Sequence, residues 1–146
     1  KTMGDILTQE ALENALVTFA AFGGSTNLIL HTAAVAYHAG LRRPSVEDWA
    51  RINRQVPRVV DALPNGPVGH PTVQVFLAGA VPEVMLHLRR AGLLNTKVLT
   101  ATGKTLGENL DWWEQSERRA RLRQQLKERD GVDADRVIMS PGAARS

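Results

Sequence analysis

The sequence predicts a helix-rich α/β domain, and three observations carry that expectation. Long stretches place apolar residues at helical spacing, each opened by a capping residue and closed by glycine or proline. Three short β-branched runs, residues 58–63, 97–100 and 137–139, read as strands. Those runs are too few and too short for a self-sufficient sheet, so the chain reads as part of a larger domain.

The first helix is expected from Thr8, a plausible N-cap, to about Phe22, with Leu12, Ala15, Leu16, Phe19 and Ala20 on one face. Gly23-Gly24 stops it. A second helix is expected to start at Ser25 and to close at Gly40 as its C′ residue. It carries Leu28, Ile29, Leu30, Ala33, Ala34, Val35 and Ala36 almost all round, which predicts burial on every side. Pro44-Ser45 opens a third helix, with Glu47 and Asp48 in its first turn, Trp49 and Ile52 facing inward and Pro57 at its end. Pro64-Asn65-Gly66-Pro67 is a strong turn signal. A helical stretch from Thr72 breaks at Gly79, and Pro82 is expected as the first residue of the next helix, through Arg90. Thr105 and Glu108 have capping-box spacing ahead of Leu110 and the Trp112-Trp113 pair. One tryptophan of an adjacent pair points to the core and the other outward.

Composition narrows the function classes. The chain has 146 residues and no cysteine, which excludes disulfides, thiolate metal sites and cysteine nucleophiles within it. Eighteen Lys and Arg against fifteen Asp and Glu give only +3, a weak basis for nucleic-acid binding. No apolar run is long enough to span a membrane. The stretch from Asp111 to Asp130 holds six basic residues, Arg118, Arg119, Arg121, Arg123, Lys127 and Arg129, and five acidic ones, Asp111, Glu114, Glu117, Glu128 and Asp130. Such near balance predicts a solvated, salt-bridged helix face.

The sharpest chemical feature is Gly23-Gly24-Ser25-Thr26-Asn27 at a helix start. Glycines there allow close backbone approach, and free N–H groups with the helix dipole favour a carboxylate or phosphate. On the residues alone, a Ser N-cap after a glycine-rich turn is the plainer reading. Thr102-Gly103-Lys104-Thr105 lacks the earlier glycine of a phosphate-binding P-loop, because Val98 stands in its place. What remains is a capped helix start whose Lys104 could face an anion. His31 and His38, seven residues apart, are too distant to chelate one metal and read as core or interface histidines. His70, in a proline-flanked loop, is better placed for a ligand.

The segment Gly23-Gly24-Ser25-Thr26-Asn27 with His31 resembles the GGSTN-x-x-x-H block of the dihydroxy-acid and sugar-acid dehydratases. The likeness continues in order through Val56-Pro57-Arg58, Leu63-Pro64-Asn65-Gly66-Pro67, the block Gly79 to Met85 and the block Thr102 to Asn109. Matches around His70-Pro71-Thr72-Val73 and Asp111-Trp112-Trp113-Glu114 resemble the xylonate dehydratase-like branch most. The resemblance implies the helix-rich C-terminal part of the N-terminal α/β domain of a two-domain dehydratase. It places residues 1–139 in that domain and residues 140–146 at the start of a linker to a β-rich domain.

It further implies a cytoplasmic hydro-lyase that dehydrates a 2,3-dihydroxy (sugar) acid, such as a pentonate, to a 2-keto-3-deoxy acid. The full-length enzyme, dimeric or tetrameric, would use an iron–sulfur cluster and Mg2+ whose ligands are not in this chain. The serine base belongs to the domain that would follow, so no catalytic residue is assigned here and the segment alone is expected to be inactive. Ser25, Thr26 and Asn27 become the substrate-binding candidates, with Asn65 and Gly66 as a second part of the wall. His31 matches the motif and is expected to orient the loop through a ring N–H bond.

Two other classes compete. A non-catalytic interaction module would use Trp112, Trp113 and the arginine-rich helix. A helical nucleic-acid binder would use Arg51, Arg54, Arg58 and the 118–129 run, with affinity falling steeply with salt.

Overall fold

A computed structural model describes residues 1–145 of the chain. Its helices are α1 (Met3–Ile6), α2 (Gln9–Phe22), α3 (Asn27–His38), α4 (Val46–Gln55), α5 (Thr72–Leu77), α6 (Ala80–Arg90), α7 (Leu106–Gln115), α8 (Glu117–Asp130) and α9 (Ala134–Val137). Helix α2 packs on α4 and α6, α6 on α7, and α5 on α8 and α9.

Local capping chemistry sets most of these boundaries. Thr8 Oγ1 accepts the Ala11 N–H at 3.2 Å, and Gly23 closes α2 in the left-handed region at φ 63°. Ser45 and Asp48 form a reciprocal capping box on α4, and Thr105 and Glu108 form another on α7. Helix α3 ends in a Schellman arrangement: Gly40 N–H donates to the Tyr37 carbonyl (3.2 Å) and Leu41 N–H to the Ala36 carbonyl (2.8 Å).

The expected strands are corrected. Among the described residues there is no strand, only isolated bridges pairing Val60 with Ile138, Ala62 with His70 and Leu99 with Thr105. Residues 59–61 and 137–139 do run antiparallel, with Asp61 N–H to the Val137 carbonyl (2.9 Å) and Met139 N–H to the Val59 carbonyl (2.8 Å). The pairing stops there, because Val137 still belongs to α9 and the Val59 and Leu63 N–H groups donate instead to the Ala21 and His70 carbonyls at 2.8 and 3.0 Å. Val59, Val60, Val137 and Ile138 are β-branched and fully buried, and they fill a helical core that also takes Leu16, Ile52, Val84 and Leu126. Burial explains their composition without a ladder.

Three helix expectations also change. Helix α6 starts at Ala80 rather than Pro82, and Gly79 adopts φ 120° ahead of it. Pro82 sits in the first turn, where its missing N–H has no intrahelical acceptor to serve. Helix α3, expected to be buried on every side, buries only Thr32 and Ala36. The arginine-rich helix α8 is not simply a solvated face: Arg119 and Arg123 turn inward to Glu83 on α6.

Glu83 is completely buried. Its carboxylate accepts from Trp113 Nε1 (3.0 Å), Arg119 Nε (2.7 Å) and an Arg119 terminal nitrogen (2.7 Å). One carboxylate thus fastens α6, α7 and α8 together. Trp113 is the core member of its pair and Trp112 the exposed one, as the sequence implied.

At the other end, Ala144 packs against the main core, and its N–H donates to the Ser140 carbonyl at 3.0 Å. The last residue of the expected 140–146 linker, Ser146, lies outside the described residues.

Candidate functional site

Helix α2 delivers the chain into the 23–27 loop, and the two glycines are needed for close packing on both sides. A Cβ on Gly24 would lie 2.5 Å from the Phe19 ring, and one on Gly23 would lie 2.7 Å from Arg58 Cδ. The close approach that glycine permits is therefore used by Phe19 and Arg58. The loop is held from below, where Val59 N–H donates to the Ala21 carbonyl at 2.8 Å.

The start of α3 differs from expectation by two residues. Ser25 and Thr26 carbonyls accept from Leu28 and Ile29 N–H at 3.0 and 3.1 Å, a tight i to i+3 turn that precedes the regular helix. Ser25 Oγ is consequently not the N-cap; it accepts from the Asn27 N–H (3.3 Å) and from Asn27 Nδ2 (3.1 Å). Ser25, Thr26 and Asn27 are all exposed, and Thr26 makes no side-chain cap.

The second predicted element, the 64–67 turn, is built around a carboxylate that the sequence reading missed. Asp61, buried, accepts from Val68 N–H (3.1 Å) and Gly69 N–H (2.7 Å). Gly66 presses against it so closely that a Cβ would fall 1.8 Å from Asp61 Oδ1. The available signal was a lone acid inside the apolar run 59–63, just ahead of two prolines and a glycine.

The structure joins these two elements directly. Asn65 Nδ2 donates to the Gly23 carbonyl at 3.1 Å, across 42 residues of sequence. Asn65 therefore stands on the same rim as Ser25, Thr26 and Asn27, with the Arg58 stem packed on Gly23 beside them. Gly66 contributes through turn geometry. The rim offers hydroxyls, amides, a helix N-terminus and one guanidinium, a set suited to a polar anion rich in hydroxyl groups.

Other candidates lie elsewhere. His31 is exposed and lines a cleft of about 610 Å3 with Met3, Leu7, Val35 and His38, so it does not orient the 23–27 loop as expected. Its position on the outer face of α3 points it away from that loop. His70 Nδ1 pairs with Gln74 Oε1 at 2.6 Å, and Gln74 Nε2 donates to Asp130 at 3.0 Å, a tie between α5 and α8. Lys104 lines a separate apolar groove with Val81, Pro82 and Trp112. Arg51 is paired with Glu13 at 2.7 Å. Trp113 and Arg119 are committed to Glu83, which removes them from the interaction surface considered for Trp112, Trp113 and α8.

Buried titratable groups are natural site candidates, and Glu83 with His87 is the main pair. Burial pushes the Glu83 carboxyl up, but hydrogen bonds from Arg119 and Trp113 outweigh it and hold the group below its ordinary value. Burial drives the His87 imidazole down, against the pull of Glu83, and its Nε2 lies 3.8 Å from Glu83 Oε1. All of the Glu83 partners come from within this chain, so the cluster reads as an internal clamp. Among the described residues no group of three or more His, Cys, Asp or Glu converges to hold a metal ion. The chain also has no cysteine, so its donors do not fit an iron–sulfur cluster. No helix of the described residues is long and apolar enough to cross a membrane.

Comparison with known proteins agrees with the family resemblance. The chain is 61% identical over 145 residues to the D-xylonate dehydratase YagF of Escherichia coli (strain K12), covering 99% of this chain and 22% of that protein. D-xylonate dehydratase YjhG of the same strain is 60% identical with the same coverage. Dihydroxy-acid dehydratase 1 of Nocardia farcinica (strain IFM 10152) is 46% identical over 109 residues, 75% of this chain and 19% of that protein. The chain spans about a fifth of the length of these curated relatives. Residues 1–109 match the profile described as Dihydroxy-acid/6-phosphogluconate dehydratase N-terminal, and on that match the chain belongs to this dehydratase family.

Proposed function

We propose that this chain forms part of the substrate wall of a hydro-lyase that dehydrates a 2,3-dihydroxy sugar acid, a pentonate such as D-xylonate, to a 2-keto-3-deoxy acid. The observation that carries the reading is the Asn65–Gly23 hydrogen bond, which sets Asn65 beside Ser25, Thr26 and Asn27 on one exposed rim. The similarity to D-xylonate and dihydroxy-acid dehydratases supports the substrate class.

In this reading the hydroxyls of Ser25 and Thr26 and the amides of Asn27 and Asn65 bind substrate hydroxyls. The N-terminus of α3 and Arg58 favour the carboxylate. The iron–sulfur cluster and Mg2+ of the reading are bound by residues outside this chain, as is the base, and no step is assigned to them here. Residues 1–139 then belong to the N-terminal domain of a cytoplasmic, dimeric or tetrameric enzyme, with residues 140–146 leading toward a further domain.

The test uses the complete polypeptide that contains this segment. Ser25→Ala, Asn27→Ala and Asn65→Ala are each expected to lower kcat/KM on D-xylonate about tenfold or more, the loss of one substrate hydrogen bond. Unchanged kcat/KM in all three overturns the site. Dehydratase turnover by the 146-residue chain alone overturns the assignment of the remaining groups to sequence outside it.

A further inference from the structure

Helix α3 has the composition of an interior and the position of a surface. None of its twelve residues carries a formal charge apart from what His31 and His38 could take up. Leu30 is 73% exposed, Tyr37 66% and Val35 45%. On a helix of 3.6 residues per turn, Leu30, Ala34, Tyr37 and His38 stand opposite the buried pair Thr32 and Ala36. A solvent face of a small domain is ordinarily charged, and contiguous apolar exposure of this kind marks a contact surface.

We infer that the outer face of α3 is the seat of an apolar segment of the same polypeptide, lying outside residues 1–146. Size argues for that occupant over a second copy of the chain. A helix of twelve residues offers a strip about 18 Å long and roughly 10 Å wide, less than the roughly 600 Å2 per partner that a stable dimer buries. A segment of the same chain needs far less area, because its local concentration is fixed by the covalent link. Length supplies the material: D-xylonate dehydratase YagF aligns with nearly all of this chain, yet that alignment occupies only 22% of YagF. The Arg43 guanidinium lies over the Tyr37 ring at one end of the face, 5.9 Å from its centroid, and the rest of the face, which has no formal charge of its own, selects an apolar occupant. The inference stands on α3 and chain length and is independent of the roles proposed for Ser25 and Asn65. Because α3 grows out of the 23–27 loop, the docked segment would also border that rim.

A photo-cross-linking aromatic residue placed at position 30 of the polypeptide as its gene encodes it, and separately at position 37, tests this. The expected product is an intramolecular cross-link, at unchanged chain mass on a denaturing gel, to a peptide outside residues 1–146. The same probe at Gln125, exposed on α8, is expected to give no such product. A product of doubled mass, a cross-link within residues 1–146, water-quenched probe at both positions, or a gene product of only these 146 residues each overturns the proposal. If the position-30 variant does not fold, position 37 decides.

Discussion

Helices α6 and α3 invert the usual arrangement in opposite ways. Helix α6 takes a carboxylate into the interior and leaves none of its surface in water, whereas α3 leaves a leucine, a valine and a tyrosine exposed. The buried charge is satisfied: Trp113 and Arg119 donate to Glu83 within hydrogen-bond distance, and Arg123 lies 3.5 Å away. The exposed apolar face meets only Met3 and Leu7 across an open cleft and Arg43 over the Tyr37 ring, and none of them covers Leu30. The contrast separates contacts that this segment completes by itself from a contact that it offers. A polar group can be buried where its partners lie in the same segment; an apolar face in water records a partner located elsewhere.

The largest effect should come from breaking the completed side. Glu83→Ala removes the acceptor shared by α7 and α8 and leaves two guanidinium groups facing a desolvated gap. A loss of about 3–5 kcal/mol is expected, the range for orphaning one side of a buried ion pair. Urea unfolding of the chain reads it directly. A loss under about 1 kcal/mol would mean that the arginines simply swing into water, and the clamp would no longer distinguish the two regions.

The same contrast shows what could be read from the sequence. Helices α2, α4 and α7 were legible because their signals are local: Thr8, the Ser45–Asp48 box and the Thr105–Glu108 box act within three residues. The 23–27 loop and the 64–67 turn were legible as separate punctuation by glycine and proline. Their union through Asn65 spans 42 residues, and the Glu83–Arg119 pair spans 36, so neither could be found by periodicity. The error over strands has a physical source as well. Val59, Val60 and Ile138 are β-branched and buried, and full burial in a helical core selects the same residue types as a central strand. Conversely, the all-round apolar character of α3 was read correctly, but what it demands is not among the described residues.

Acid should weaken the clamp in two stages, an effect smaller than deleting Glu83. The folded His87 titrates below its ordinary 6.5, so the unfolded chain takes up protons first and stability falls as pH drops below about 6.5 toward the folded value. Glu83, also held below its ordinary 4.5, contributes stability that is complete above that value and is lost as pH falls through its lower folded one. The groups acting on His87 are Glu83 and Asp135, which favour its charged form, and Arg90 and Arg119, which oppose it. His87→Gln is expected to flatten the slope just below pH 6.5 and to leave the loss below 4.5 in place. An unchanged upper slope in that variant would assign the titration to another group.

The smallest effect is expected on the offered side, and its smallness is the point. Leu30 is 73% exposed, so Leu30→Asp changes little of what the 146-residue chain buries. A change within about 0.5 kcal/mol is expected, as for substitutions at surfaces without special contacts. The aspartate would also sit in the first turn of α3, where the helix dipole favours it. A loss above about 1.5 kcal/mol would show that Leu30 already packs within these residues, and the distinction between completed and offered contacts would fail at α3. A near-zero value in the isolated chain, set against a large loss in the complete polypeptide, would locate the missing partner by difference. That pairing turns a leucine in water from an anomaly into the boundary of what this segment can fold by itself.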